Sequence, residues 1–144
     1  MATKVPEHLA SILKAIGETP NTALWDCHGT WVVKHKALEK VASTYGISFN
    51  DPVVIETDIK NKSIALMVRG ERSFKIKDSD KILTRSEWSV GEASPYNNKN
   101  GYPYAMAEKR AKDRVILKLI GISGDVYSEE EADDFKNSKP QGVQ

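Results

Sequence analysis

The sequence predicts an α+β domain: an antiparallel β-meander of three to four strands packed against a long helix, with an N-terminal helical region. Three observations carry this prediction. Apolar residues recur at helical spacing near the start of the chain, β-rich runs follow one another between residues 52 and 93, and a cation-rich helical segment runs from Ala107 to Gly121. Strands that follow one another without a helix between them favour antiparallel pairing.

The first half of the chain predicts two helices and one short strand. Apolar residues from Pro6 to Ile16 keep helical spacing and stop at a glycine, and the same holds from His35 to Tyr45. Glu18 to Thr22 contains proline and asparagine and is interpreted as a linker. Thr30 to Lys34 alternates weakly and predicts a short strand.

The second half predicts the meander and the long helix. Pro52–Asp58 and Ser63–Arg69 are β-rich runs, and the four residues between them fit a hairpin turn. Gly70–Lys81 is polar and is compatible with a further short strand or an excursion. Leu83–Ala93 predicts the next strand, with Trp88 interpreted as a core residue. The helix then ends at a glycine.

Length and composition set the broad class. A chain of 144 residues with 40% hydrophobic and 28% charged residues is an ordinary soluble protein, and one domain is expected over residues 1–127. Residues 128–144 are interpreted as an acidic, partly disordered tail. Apolar runs such as Ile64–Val68 are too short to cross a bilayer, so no membrane partner is expected. The single cysteine, Cys27, excludes an internal disulfide and fits a cytoplasmic location.

The net charge of +1 conceals an asymmetry along the chain. Residues 60–121 hold fourteen Lys and Arg against seven Asp and Glu, whereas residues 122–144 hold two against six. The segment from Ser128 to Asp134 alone carries five carboxylates. The distribution of charge therefore says more about partners than the total does, and the basic block is the central one.

The long helix places three cations on one line. Arg110, Arg114 and Lys118 are spaced i, i+4, i+8, with Ile116 and Leu119 roughly opposite, and Glu108 can pair with Lys112. The sequence predicts a weakly compensated cationic face that holds an anionic ligand. The alternative is a solvated face that only adds solubility.

A cationic groove lined with aromatics is typical of single-stranded nucleic-acid binding. The tyrosines before the helix fit stacking and loop anchoring equally well. The candidate DNA-binding residues are the cations and aromatics of the hairpin, strands, loop and helix: Lys60, Lys62, Arg69, Arg85, Tyr102, Tyr104, Lys109, Arg110, Arg114 and Lys118.

Patterns for catalysis and metal binding are weak, so neither an enzyme nor a cofactor is expected. The three histidines form no metal-binding pattern, and Cys27 has no second cysteine beside it. Glu56 has no lysine at the E-x-K spacing of nucleases. Asp51, Glu56 and Asp58 are therefore interpreted as edge residues, with a divergent metal-dependent nuclease as an alternative. No glycine-rich phosphate loop is present in the sequence.

The order of these segments resembles the single-strand annealing recombinase superfamily, the group of the eukaryotic Rad-fifty-two ring protein and its phage relatives. The matching pieces are the helix Leu38–Gly46, the strands between Val53 and Ala93 that close on Gly-Glu-Ala, and Ala107–Gly121 with its spaced alanines, cations and terminal Leu-x-Gly. The resemblance covers roughly residues 30–122. It departs from the family in the Asn- and Pro-rich loop Ser94–Tyr104.

The resemblance implies ATP-independent binding of single-stranded DNA and annealing of complementary strands in phage-type homologous recombination. It implies rings or filaments of the protein itself, and a recombination exonuclease or a host protein as further partners. Arg110, Arg114 and Lys118 correspond to the family's helix cations, and Lys60 and Lys62 loosely to its hairpin cations. For a phage protein the location is the cytoplasm of the bacterial host.

The alternative function is a small interaction or regulatory protein of a recombination or defence complex that acts through its acidic tail. A protein adaptor has no need of three cations on one helical line, and this distinguishes the two hypotheses in the sequence.

Overall fold

The computed structural model describes residues 4–98, 101–122 and 126–129. Its helices are α1 (Glu7–Ala15), α2 (Pro20–Ala23), α3 (His35–Thr44) and α4 (Pro103–Leu119). Its strands are β1 (Leu24–Cys27), β2 (Thr30–Val33), β3 (Ser48–Phe49), β4 (Val53–Asp58), β5 (Ser63–Lys75), β6 (Ile82–Ala93) and β7 (Tyr127–Ser128). The predicted α+β class, meander and long helix are confirmed.

The meander is built around β5. Strands β4 and β6 pair with its two sides in antiparallel register, and β3 pairs with it beyond the end of β4. The predicted strand Ser63–Arg69 was too short, because β5 continues through the polar residues to Lys75. Apolar alternation ends at Val68, but the ladder to β6 remains regular as far as the pair Lys75 and Ile82.

A second, smaller sheet combines two strands from the first half of the chain with one from near its end. Strands β1 and β2 make an antiparallel hairpin, and β7 lies parallel to β2. The predicted linker overlaps the short helix α2. This helix has Pro20 in its first turn and a capping box between Thr19 at its N-cap and Thr22 three residues later. Helices α1 and α3 agree with prediction.

Helix α4 joins two buried clusters. Near its end, Ile116 and Ile120 pack with α1, α3 and the small sheet. Near its beginning, Ala107 and Ala111 pack on Ile64, Leu66 and Val68 of β5. The helix starts at Pro103, earlier than predicted, with proline at a first-turn position where no intrahelical donor is needed.

Only one face of the large sheet lies against α4. Along β5 and β6 the residues facing the helix are buried, and the alternate residues stay partly or fully exposed. We call the exposed side the open face, defined by Met67, Arg69, Trp88 and Val90. At about 3.3 Å per residue β5 spans roughly 43 Å, whereas α4 at 1.5 Å per residue spans roughly 26 Å. Strands β5 and β6 form a long hairpin, hereafter the β5–β6 hairpin, and its outer half projects beyond the helix. The carboxyl end of α4 meets Arg72.

Candidate nucleic-acid interface

Arg110 is the first residue of the predicted cationic line, and it is only 4% exposed. Its Nη1 donates to Glu92 O at 2.8 Å and to Asn97 Oδ1 at 3.0 Å, while Nη2 donates to Asn97 O at 2.6 Å. The guanidinium thus ties α4 to the end of β6 and the loop after it. The prediction that this side chain belongs to a weakly compensated cationic face is wrong.

The next two cations of the line contact the same strand. Arg114 donates through Nη1 to Val90 O and pairs through Nη2 with Glu92 Oε1 at 3.1 Å. Lys118 Nζ donates to Trp88 O at 2.8 Å. Arg110, Arg114 and Lys118, hereafter the edge row, therefore cap the carbonyls of residues 92, 90 and 88 in turn.

The side chains of the edge row reach successive carbonyls because the residue spacing along α4 matches the carbonyl spacing along β6. Four residues of a helix rise about 6 Å, and two residues of a strand rise about 6.8 Å. Every fourth residue of α4 consequently meets every second carbonyl of β6 when the two run in opposite directions. Unpaired carbonyls at a sheet edge need a donor, and here cationic side chains supply it.

Close packing of α4 on β6 depends on Gly91. A Cβ at this position would lie 2.0 Å from Ala107 O and 2.6 Å from Ala111 N. Since both neighbours are helix backbone atoms, no side-chain movement would relieve the clash. The glycine and the small alanines together let the helix lie directly on the strand, which brings the edge row to the carbonyls.

Trp88 lies on the open face and is 49% exposed, so its interpretation as a core residue is wrong. It is the register partner of Arg69 on β5. Arg69 Nη1 donates to Ser86 Oγ at 3.0 Å, and Lys118 Nζ lies 5.7 Å from the centre of the Trp88 ring. One feature of the sequence indicates this arrangement. Gly91 lies on the face of β6 opposite to Trp88, and a glycine allows a helix to pack closely on that face.

Four candidate residues lie at one end of the sheet, where the β4–β5 turn approaches the start of α4. Lys60 and Lys62 are exposed in the turn, and Lys62 adopts a positive φ of 54°. The hydroxyls of Tyr104 and Thr57 hydrogen-bond at 2.5 Å, which favours anchoring for this tyrosine. Tyr102 precedes the helix and is exposed.

Arg85 lies on the projecting part of the hairpin, apart from that group. It is the register partner of Arg72 and lies 3.8 Å from Glu87. The guanidinium of Arg72 stacks between Tyr45 and Phe74, at 4.9 and 5.3 Å from the ring centres.

Lys109 is exposed on α4. The ten candidates are therefore distributed along the sheet: Lys62 and Arg69 are seven residues apart on one extended chain, about 23 Å.

Of the three carboxylates that the sequence analysis places at a sheet edge, Asp58 has a structural role. Asp58 accepts from Asn61 Nδ2 at 2.6 Å and so closes the β4–β5 turn. Of the residues that the structure describes, no three His, Cys, Asp or Glu side chains form a group that could hold a metal ion. None of the described helices is both long enough and apolar enough to span a membrane.

The start of the acidic tail belongs to the fold. Strand β7 pairs with β2, and Glu129 Oε1 accepts from the backbone N–H of His35 at 3.2 Å, at the beginning of α3. The other carboxylates of the predicted tail lie outside the described residues.

Two parts of the surface could receive an anionic ligand: the open face around Trp88, and the exposed lysines in the β4–β5 and β5–β6 turns at opposite ends of the large sheet. Comparison with protein-family models, with curated proteins and with solved structures gives no match for this chain.

Proposed function

We propose that this protein binds single-stranded DNA with little sequence preference and anneals complementary strands without ATP, as in phage-type homologous recombination. The observation that supports the proposal best is the open face, where a half-exposed tryptophan lies between two cations, Arg69 and Lys118. Aromatic side chains that accept bases, beside cations that accept phosphates, are the usual means of holding a single strand.

The distribution of charge supports weak, repeated contacts with the phosphate backbone. Exposed cations occur at both ends of the large sheet: Lys60, Lys62, Lys75, Lys77, Lys81 and Arg85. Lys75, Lys77, Lys81 and Arg85 lie on the long β5–β6 hairpin, which projects beyond α4, whereas Lys60 and Lys62 lie in the β4–β5 turn. Contacts of this kind are independent of sequence and leave the strand able to exchange partners, as annealing requires.

The proposed path of the strand crosses the open face. The resemblance implies contacts from the line of helix cations, but Arg110 and Arg114 are engaged with the carbonyls and side chain of β6. Lys118 also approaches the exposed ring of Trp88, at 5.7 Å from its centre. We therefore assign the main phosphate contacts to the exposed cations at the two ends of the large sheet and to Arg69 and Lys118.

Self-assembly is part of the proposal, and β4 is the surface we assign to it. Val53, Val54 and Ile55 are each more than half exposed at this edge of the sheet, whereas the edge row caps β6. An exposed apolar edge strand is a common surface for pairing with another chain. The same edge also favours the second candidate function, an interaction or regulatory protein, in which a different protein would occupy it.

The proposed function predicts faster annealing of two labelled complementary oligonucleotides in the absence of any nucleotide, measured by energy transfer at low salt. Light scattering on the same sample should give a mass above that of a dimer. Replacing Lys77 and Lys81 together with alanine should slow annealing several-fold, because both are exposed cations of the hairpin.

The matched control replaces Lys14 and Lys36 with alanine, which removes the same charge from α1 and α3, away from the large sheet. It should anneal at the wild-type rate. No acceleration by the wild-type protein at any salt concentration would contradict the proposed function, and a strict monomer that binds no DNA would favour the interaction protein.

A further inference from the structure

We infer that Trp88 is a base-stacking residue and that the open face around it receives an unpaired nucleobase of single-stranded DNA. This inference rests on the proposed function and deepens it by assigning the place where bases, as distinct from phosphates, are held. The other aromatic candidates, Tyr102 and Tyr104, lie at the far end of the sheet by the start of α4.

The position of Trp88 is unusual for its residue type. Its strand neighbours Ser89 and Gly91 are buried beneath α4, whereas the indole projects from the opposite face and keeps 49% of its surface exposed. Tryptophan supplies a large apolar surface, and leaving half of it in water forgoes stabilisation that full burial would give. An exposed aromatic on an otherwise uncovered sheet face is therefore a candidate contact surface.

The surroundings of the ring fit a planar ligand that carries an anion. Met67 and Val90 are register partners on the same face and provide an apolar floor beside the indole. Arg69 lies across from Trp88 and is anchored by Ser86 Oγ at 3.0 Å. Lys118 is anchored by the carbonyl of Trp88 itself at 2.8 Å, with its ammonium 5.7 Å from the ring centre. A base on this surface would meet cations that are already held in place.

Charge distinguishes a nucleotide from an apolar protein segment as the occupant. Cations lie on two sides of the ring, on β5 and on α4, and both are fixed by hydrogen bonds. Two acids share this face: Glu71, which is exposed two residues beyond Arg69 on β5, and Glu92, whose carboxylate is held by Arg114 at 3.1 Å. An uncharged apolar segment would leave Arg69 and Lys118 without an anionic partner and would partly desolvate them, which costs free energy. A base with its phosphate would satisfy both.

The test compares an oligo(dT) with an abasic oligonucleotide of the same length and the same phosphate charge, for the wild type and for Trp88→Ala and Trp88→Phe. The wild type should bind oligo(dT) about tenfold more tightly than the abasic strand, which is the usual size of one base–aromatic stack. Trp88→Ala should lose this preference while keeping its affinity for the abasic strand. Trp88→Phe should keep most of the preference.

Tryptophan fluorescence provides a second readout that needs no truncating variant. Oligo(dT) should quench the emission of the wild type and of Trp25→Phe, whose substituted residue lies on β1 of the other sheet. The abasic strand should quench neither, and Trp88→Phe should remove the quenching by oligo(dT).

Equal wild-type affinity for both strands, or a Trp88→Ala variant that keeps the preference, would overturn the stacking role and leave the proposed function standing. Absence of binding to either strand would instead remove the proposed function together with the inference.

Discussion

Gly91→Ala is expected to destabilise the protein by about 3 kcal/mol or more, the upper range for overpacking of a closely packed core. The added Cβ would lie 2.0 Å from Ala107 O and 2.6 Å from Ala111 N, so the helix must move away from the strand. That movement would also pull the edge row from its carbonyls. Urea denaturation monitored by circular dichroism measures the change, as a lower midpoint.

Gly101→Ala is the matched control. A Cβ at Gly101 meets nothing within 4 Å, and the residue lies in the loop before α4. Its stability should remain within about 0.5 kcal/mol of the wild type. If Gly91→Ala unfolds at the wild-type urea concentration, α4 does not lie on the backbone of β6 as described.

Arg110→Ala is expected to cost about 3 kcal/mol of unfolding free energy, because hydrogen bonds from a charged group contribute about 1.5–3 kcal/mol each and are not fully additive. The guanidinium makes three such bonds, to Glu92 O and to both oxygens of Asn97. Alanine would remove the donor to Glu92 O and to Asn97 O, whereas Asn97 Oδ1 would keep the backbone N–H of Ser94 at 2.9 Å. The measurement is again the urea midpoint.

The neighbouring Lys109→Ala provides the control, since Lys109 is exposed on the same helix. Its stability should change by no more than about 0.5 kcal/mol. If Arg110→Ala were as stable as Lys109→Ala, the buried role of Arg110 would be refuted. A loss of DNA binding by Arg110→Ala would therefore not by itself show that Arg110 contacts DNA, because the substitution also destabilises the fold.

Much of the fold follows from local sequence signals. Helices α1 and α3, the β4–β5 turn and the start of β6 are marked by apolar spacing and by turn residues. The outer half of β5 lacks such a signal. Its residues are mostly exposed, so they do not alternate between apolar and polar types. Helix α2 is too short for periodicity and depends on a capping box between two threonines.

The candidate site was harder to predict because helical spacing identifies a line of residues but not what that line faces. Arg110, Arg114 and Lys118 do share one line, and their partners are carbonyls of a strand edge. Backbone carbonyls have no signature in residue identity. Alternate residues of β6 point to opposite faces of the sheet, and residue type alone does not say which face meets the helix. The indication is Gly91, which lies on the face opposite to Trp88.

The proposed function depends most directly on one quantity, the affinity for a labelled single strand as a function of salt concentration. We expect binding of oligo(dT) and of a mixed-sequence strand with similar affinity at low salt. The logarithm of the association constant should fall linearly with the logarithm of salt concentration, by about 0.7 per phosphate contacted. Binding that is undetectable at low salt, or that does not change with salt, would contradict the account.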